Sequence, residues 1–170
     1  MFMNLIMGVR YRFVSYVKLL LFTLFFDRDN VQISWTVKFR KRFNYQFAND
    51  AEIKIGDHVF FNNDVSLNVL KSLRIGNNTM FGENVKVYDH DHVFQDVNKP
   101  FSKQGYTKKG ITIGSNVWVG ANVLILKGVS IGDNSVIAGG AIVTKDVPAN
   151  SLYMTKITSD IKYIDPKLQD

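Results

Sequence analysis

Ile113 to Pro148 reads "IGSNVWVGANVLILKGVSIGDNSVIAGGAIVTKDVP", and every sixth residue of it is aliphatic: Ile113, Val119, Ile125, Ile131, Ile137 and Val143. The residue after each is mostly small, as at Gly114, Gly120, Gly132 and Ala138. A period of six matches neither the 3.6 of an amphipathic helix nor the 2 of a long strand. It matches a chain that turns a corner after each short strand, three strands to a coil of about eighteen residues. One coil cannot bury its own inward face, so coils must stack to make a core. The stretch predicts an all-β solenoid. The same period runs upstream through "IGDHVFFNNDVS" from Ile55 and "IGNNTMFGENVKVYDHDH" from Ile75, and traces faintly to Val31, Val37 and Phe43.

The period breaks once. After Val87 the next regular repeat begins only at Ile113, so residues 93–112, with Pro100, Gly105 and Gly110, form an excursion. A long loop in an otherwise strict solenoid is usually functional. The organisation expected is an N-terminal helical segment over 1–30, the solenoid over 31–148 and a tail over 149–170, with Pro148 ending the coils. Just before the excursion stands "YDHDH", with His90 and His92 set between Asp89 and Asp91. Three readings of it stay open: a general base, a metal site using both histidines and an aspartate, or a structural polar loop. Neutral imidazole and carboxylate are ordinary zinc ligands, and imidazole is the side chain that most readily exchanges a proton near neutral pH.

Composition narrows the chemistry. At 170 residues and 46% hydrophobic content the chain suits one folded domain. It has no cysteine, which removes disulfides, Cys-ligated zinc and Cys nucleophiles. No Gly-x-Ser-x-Gly elbow, P-loop or Gly-x-Gly-x-x-Gly fingerprint occurs. The net charge of +6 lies wholly in residues 1–45, where eight basic residues face Asp27 and Asp29. There "FVSYVKLLLFTLFF", Phe13 to Phe26, would rise about 21 Å as a helix, short of the roughly 30 Å hydrocarbon core. Two readings remain: a peripheral contact with an anionic membrane, or a helix packed on the body or on a partner subunit. Nucleic acid is not an expected partner, because "KFRKRF" at Lys38–Phe43 comes with no recognised module.

The coils from Ile111 to Pro148 resemble the hexapeptide-repeat acyltransferases with a left-handed parallel β-helix, and most of all the branch that O-acetylates galactosides, maltose and surface polysaccharides. The resemblance spans roughly Val31 to Val147. It implies a homotrimer, acetyl-CoA as co-substrate with no metal required, and a sugar or polysaccharide acceptor. It makes His90 the general base, with Asn62, Asp89 and His92 toward the acceptor. Trp118, Ala121, Gly139, Thr144, Lys145 and Lys162 fall on the coenzyme wall, with the Ala121 amide as oxyanion donor. The implied location is cytoplasmic, peripheral at the inner face of the membrane. A tail turn that commonly reads Gly-x-Pro is replaced here by Thr155 and Ile157, which puts tail-end coenzyme contacts in doubt. Rival readings are a non-catalytic scaffold or carbohydrate-binding subunit, and an N-acetyltransferase acting on a nucleotide sugar.

Overall fold

The computed structural model describes residues 29–156, together with Val17. The N-terminal helical segment, most of the tail and Lys162 lie outside the described residues. Among the described residues no helix is long and apolar enough to cross a membrane.

Three parallel sheets wrap one core in a β-solenoid of about six turns. Sheet A stacks Val31–Ile33, Glu52–Ile55, Ser72–Ile75, Ile111–Ile113 and Ser130–Ile131. Sheet B stacks Lys38–Phe39, Phe60–Phe61, Met80–Phe81, Trp118–Val119, Val136–Ile137 and Leu152–Tyr153. Sheet C stacks Asn44–Phe47, Ser66–Val69, Lys86–Tyr88, Leu124–Ile125 and Ile142–Val143. Each coil takes one strand from each sheet in the order A, B, C. Along every strand alternate side chains point inward, and the inward set is apolar: Ile55, Phe61, Leu67, Ile75, Phe81 and Val87 are all buried.

All three corners use the left-handed region, the C/A corner through Gly128 at φ 78°. At the A/B corner His58, Asn78, Asn116, Asn134 and Asn150 have φ between 55° and 58°, and at the B/C corner so do Asn84 and Asn122. Asparagine tolerates this backbone better than most residues, and here it also stacks. The Asn116 amide donates to the Asn134 oxygen at 2.9 Å, and Asn134 donates to Asn150 at 3.2 Å. The small second position of the repeat has a steric cause. A Cβ at Gly82 would sit 2.6 Å from the Ala121 nitrogen, and one at Gly120 would sit 2.6 Å from the Gly139 nitrogen.

Three expectations need correction. The first coil is offset by two residues from the traced register: Ile33, Phe39 and Tyr45 pair with Ile55, Phe61 and Leu67, not Val31, Val37 and Phe43. Both sets face inward, because strand side chains alternate, so composition alone did not separate them. Pro148 does not end the solenoid, since Leu152–Tyr153 adds a parallel strand to sheet B. The Tyr153 hydroxyl donates to the Ile142 carbonyl at 2.9 Å, and the Thr155 hydroxyl accepts from the Ile142 amide at 3.1 Å, so Tyr153 and Thr155 fasten this segment to the last strand of sheet C. The excursion also starts earlier, at His90, and the coil resumes at Ile111.

Phe61 is fully buried, its ring 5.5 Å from that of Phe39 and 4.9 Å from that of Phe81. Phe61→Ala is expected to destabilise the protein by about 3–5 kcal/mol through lost burial and an unfilled cavity, which denaturant unfolding would read as a lowered midpoint.

Candidate functional site

The excursion is an antiparallel arm. His90–His92 pairs with Tyr106–Lys108, placing His90 opposite Lys108 and His92 opposite Tyr106. Beyond the pair, Gln104 ties the tip together: its side chain accepts from the Asp96 amide and donates to the Asp96 and Lys99 carbonyls. The arm is fastened at its root. Lys127, on the C/A corner of the fourth coil, ion-pairs with Asp91 and donates to the Thr107 hydroxyl at 2.7 Å. The Gly128 amide beside it donates to the Lys109 carbonyl at 2.9 Å. Lys127→Met is expected to speed limited proteolysis of the arm several-fold while barely moving the global unfolding midpoint, because it frees a local unit and leaves the coils intact.

Asp89 lies where coil and arm part. Its carboxylate is fully enclosed and takes four hydrogen bonds. The amides of Leu70, Lys71 and Ser72 donate to it at 2.8, 2.6 and 2.9 Å, and the fourth contact is His90 Nδ1 at 3.0 Å. Three consecutive amides aimed at one point form a concavity suited to an anion. Toward the imidazole, as toward the three amides, the carboxylate acts as acceptor, which puts the hydrogen on His90 Nδ1 and leaves Nε2 with its lone pair. Asp89 was assigned to the acceptor by resemblance. Here its carboxylate has no accessible surface, and its contacts are the three amides and the imidazole.

His90 is largely buried, with 16% of its side chain accessible, and lies edge-on to Tyr106 at 5.2 Å. His92 is exposed and packs on the same ring at 4.4 Å. The two histidines share one face, with Tyr106 between them. Among the described residues no group of three or more His, Cys, Asp or Glu side chains could hold a metal ion. Tyr106 and Lys127 carried no signal in the sequence, since each meets its partners only once the arm has folded back.

The other candidates sit elsewhere on the prism. Asn62 is on the B/C corner of the second coil, its oxygen accepting from Arg40 Nη1 at 3.2 Å and from the Asn63 amide at 2.9 Å. Ala121 and Gly139 occupy the same corner in the fourth and fifth coils, where the missing side chains leave a backbone-lined strip. Ala121 is exposed, and its amide has no acceptor among the described residues. Trp118 projects from sheet B between Met80 and Val136, 54% exposed. Thr144 and Lys145 are exposed on the C/A corner of the fifth coil, the edge from which the arm springs. One chain therefore divides the candidates between two edges: His90, Thr144 and Lys145 on C/A, and Asn62, Ala121 and Gly139 on B/C.

Comparison with known proteins follows the same lines. Residues 110–145 match the bacterial transferase hexapeptide model of six repeats. Over 105 residues the chain is 38% identical to the galactoside O-acetyltransferase of Escherichia coli strain K12, covering 61% of this chain and 50% of that protein. A hexapeptide-repeat acetyltransferase of Vibrio cholerae complexed with acetyl coenzyme A superposes with a TM-score of 0.56 at 31% identity, covering 69% of this chain and 64% of that one. A maltose O-acetyltransferase from Clostridium difficile 630 gives a TM-score of 0.56 at 25% identity, covering 83% and 81%. The chain spans about half the length of the curated relatives it matches.

Proposed function

The chain is a member of the bacterial transferase hexapeptide family, and from that premise we propose that it is an acetyl-CoA-dependent O-acetyltransferase acting on a sugar hydroxyl, in a surface polysaccharide or its lipid-linked precursor. The observation that carries this reading is the His90 imidazole, held through Nδ1 by an enclosed carboxylate with Nε2 left free. The relatives that are galactoside and maltose O-acetyltransferases, and the neighbour crystallised with acetyl coenzyme A, support the reaction class.

The chemistry is a direct transfer. His90 Nε2 removes the proton of the acceptor hydroxyl as its oxygen attacks the thioester carbonyl. The carbonyl oxygen becomes an oxyanion, to which the Ala121 amide donates. The carbon–sulfur bond then breaks, and the imidazolium returns the proton to the CoA sulfur. Asn62 and His92 contact the acceptor. Trp118, Gly139, Thr144, Lys145 and Lys162 line the coenzyme, with Lys145 meeting its phosphates as a point charge.

The division of these residues between two edges supports a homotrimer in which His90 of one subunit faces the Trp118 and Ala121 wall of the next. Residues 1–45 hold all the net charge, and Trp35 there is 58% exposed. We place this region at the inner face of an anionic membrane in the cytoplasm, where three copies in a trimer would add their attractions. Pelleting with anionic liposomes tests the location. CoA release from acetyl-CoA against a panel of mono-, oligo- and lipid-linked sugars tests the activity. Acceptor-dependent release is expected, and failure to bind acetyl-CoA by calorimetry would instead favour a non-catalytic solenoid.

A further inference from the structure

The outer side of sheet B changes character along the solenoid. Its outward column reads Lys38, Phe60, Met80, Trp118, Val136 and Leu152 in register. Two residues on, the B/C corner column reads Arg40, Asn62, Gly82, Gly120 and Ala138. In both columns, among the described residues, cations appear only in the first coil. There the Arg40 guanidinium lies 5.5 Å from the centre of the Phe60 ring and donates to Asn62. Lys38 and Lys41 are exposed beside it. Among the described residues, the carboxylates facing this patch are Asp64 and Glu83. Asp64 is gripped by two nitrogens of Arg42, which holds its carboxyl below the usual carboxylate range, and Lys86 lies near it as well. Glu83 accepts from the Asn63 amide group at 3.1 Å. Among the described residues the corner around Asn62 is therefore cationic on balance.

Resting on the transferase reading above, we infer that the acceptor is an anionic glycan whose carboxylate or phosphate is read by Arg40, with Lys38 and Lys41 adding to the field. Asn62, assigned to the acceptor, is in direct contact with Arg40, so a ligand reaching Asn62 comes within reach of the guanidinium. The planar fork of Arg fits carboxylate and phosphate oxygens in pairs, which a hydroxyl cannot match. Length matters too. The Ala121 amide is three coils from Arg40, about 14 Å at the ordinary strand spacing. An acceptor with its hydroxyl at Ala121 and its charge at Arg40 is longer than one sugar ring. The anion could belong to an acidic sugar within the glycan or to the diphosphate of a lipid-linked precursor.

The test compares three acceptors with the full chain and acetyl-CoA: a uronic-acid oligosaccharide, its carboxyl-reduced counterpart, and the reduced sugar joined to a short polyprenol diphosphate. One or both anionic acceptors are expected to exceed the neutral one in kcat/KM, and which does so names the source of the charge. Arg40→Gln is expected to narrow that preference about ten- to hundredfold through KM, and added salt to narrow it in wild type. Lys41→Gln, at an exposed side chain, gives a smaller change in the same direction and stands in if the first variant does not fold. Equal use of neutral and anionic acceptors would overturn the inference and leave the transferase reading standing. Arg40-dependent binding of the acidic oligosaccharide by calorimetry, with no transfer to any acceptor, would uphold Arg40 as a reader of anionic glycans and sink the transferase reading. If Lys38→Gln with Lys41→Gln abolished pelleting on phosphatidylglycerol vesicles but left acceptor preference intact, the patch would belong to a membrane and the inference would fall.

Discussion

His90→Ala is expected to lower acetyl transfer by ~100- to 10,000-fold, with acetyl-CoA affinity unchanged and the unfolding midpoint close to wild type. The reason is local. The imidazole stands outside the apolar core of the coils, packing on Tyr88 and Tyr106, and its one hydrogen bond is to Asp89, which keeps three backbone donors when the ring is removed. The loss should fall on kcat, because the proton moves only as the carbon–oxygen bond forms. Added imidazole should restore part of the rate if the space left by the ring admits it. Turnover unaffected by the change would return His90 to a packing role against Tyr106 and shift attention to His92.

Asp89→Asn should be nearly as damaging, for a different reason. The carboxylate serves two groups: Oδ2 accepts from Lys71 and Ser72, and Oδ1 accepts from Leu70 and His90. Asparagine has one acceptor oxygen, and two backbone amides will claim it for the Oδ2 place. Its NH₂ then points at His90 Nδ1 and can only donate. That reverses the imidazole tautomer, puts the hydrogen on Nε2 and removes the base without removing the ring; such reversals cost ~10,000-fold where they are best known. The Leu70 amide loses its acceptor, at a cost of about 1–3 kcal/mol in stability. Imidazole ¹⁵N shifts would separate this from general loosening: hydrogen on Nδ1 in wild type, on Nε2 in the variant. Unchanged shifts with full activity would remove Asp89 from any part in positioning the base.

The core was legible because it is periodic. Ile113 through Val143 face inward at a fixed interval, and a second buried position, Val117, Val123, Val129, Ser135 and Ala141, precedes each by two residues, so pattern alone fixes which side is buried. In the first coil the interval fails: ten residues separate Tyr45 from Ile55, where six would keep the count. Val37 and Phe39 both face inward, and a pattern reader cannot choose between them. The site was half legible. His90 stood out by its place at the break in the repeat. The partners of Asp89, the amides of residues 70–72, have no side-chain signature and so were not legible. Lys127 and Tyr106 became visible only through an antiparallel fold-back that neither period announces.

The spacing between inward positions is uneven around the coil. From A to B and from B to C the step is always six, as in Ile55, Phe61 and Leu67 or Ile113, Val119 and Ile125. From C back to A it is ten, eight, twenty-six, six and four residues, as Tyr45 leads to Ile55, Leu67 to Ile75, Val87 to Ile113, Ile125 to Ile131 and Val143 to Val147. One edge of the prism thus behaves as an editable seam. A segment spliced in there leaves every downstream residue on its own side, whereas one residue added at either other corner would turn the next strand inside out. New specificities can be grafted at that seam without rewriting the core, and the arm that carries His90 is one such graft.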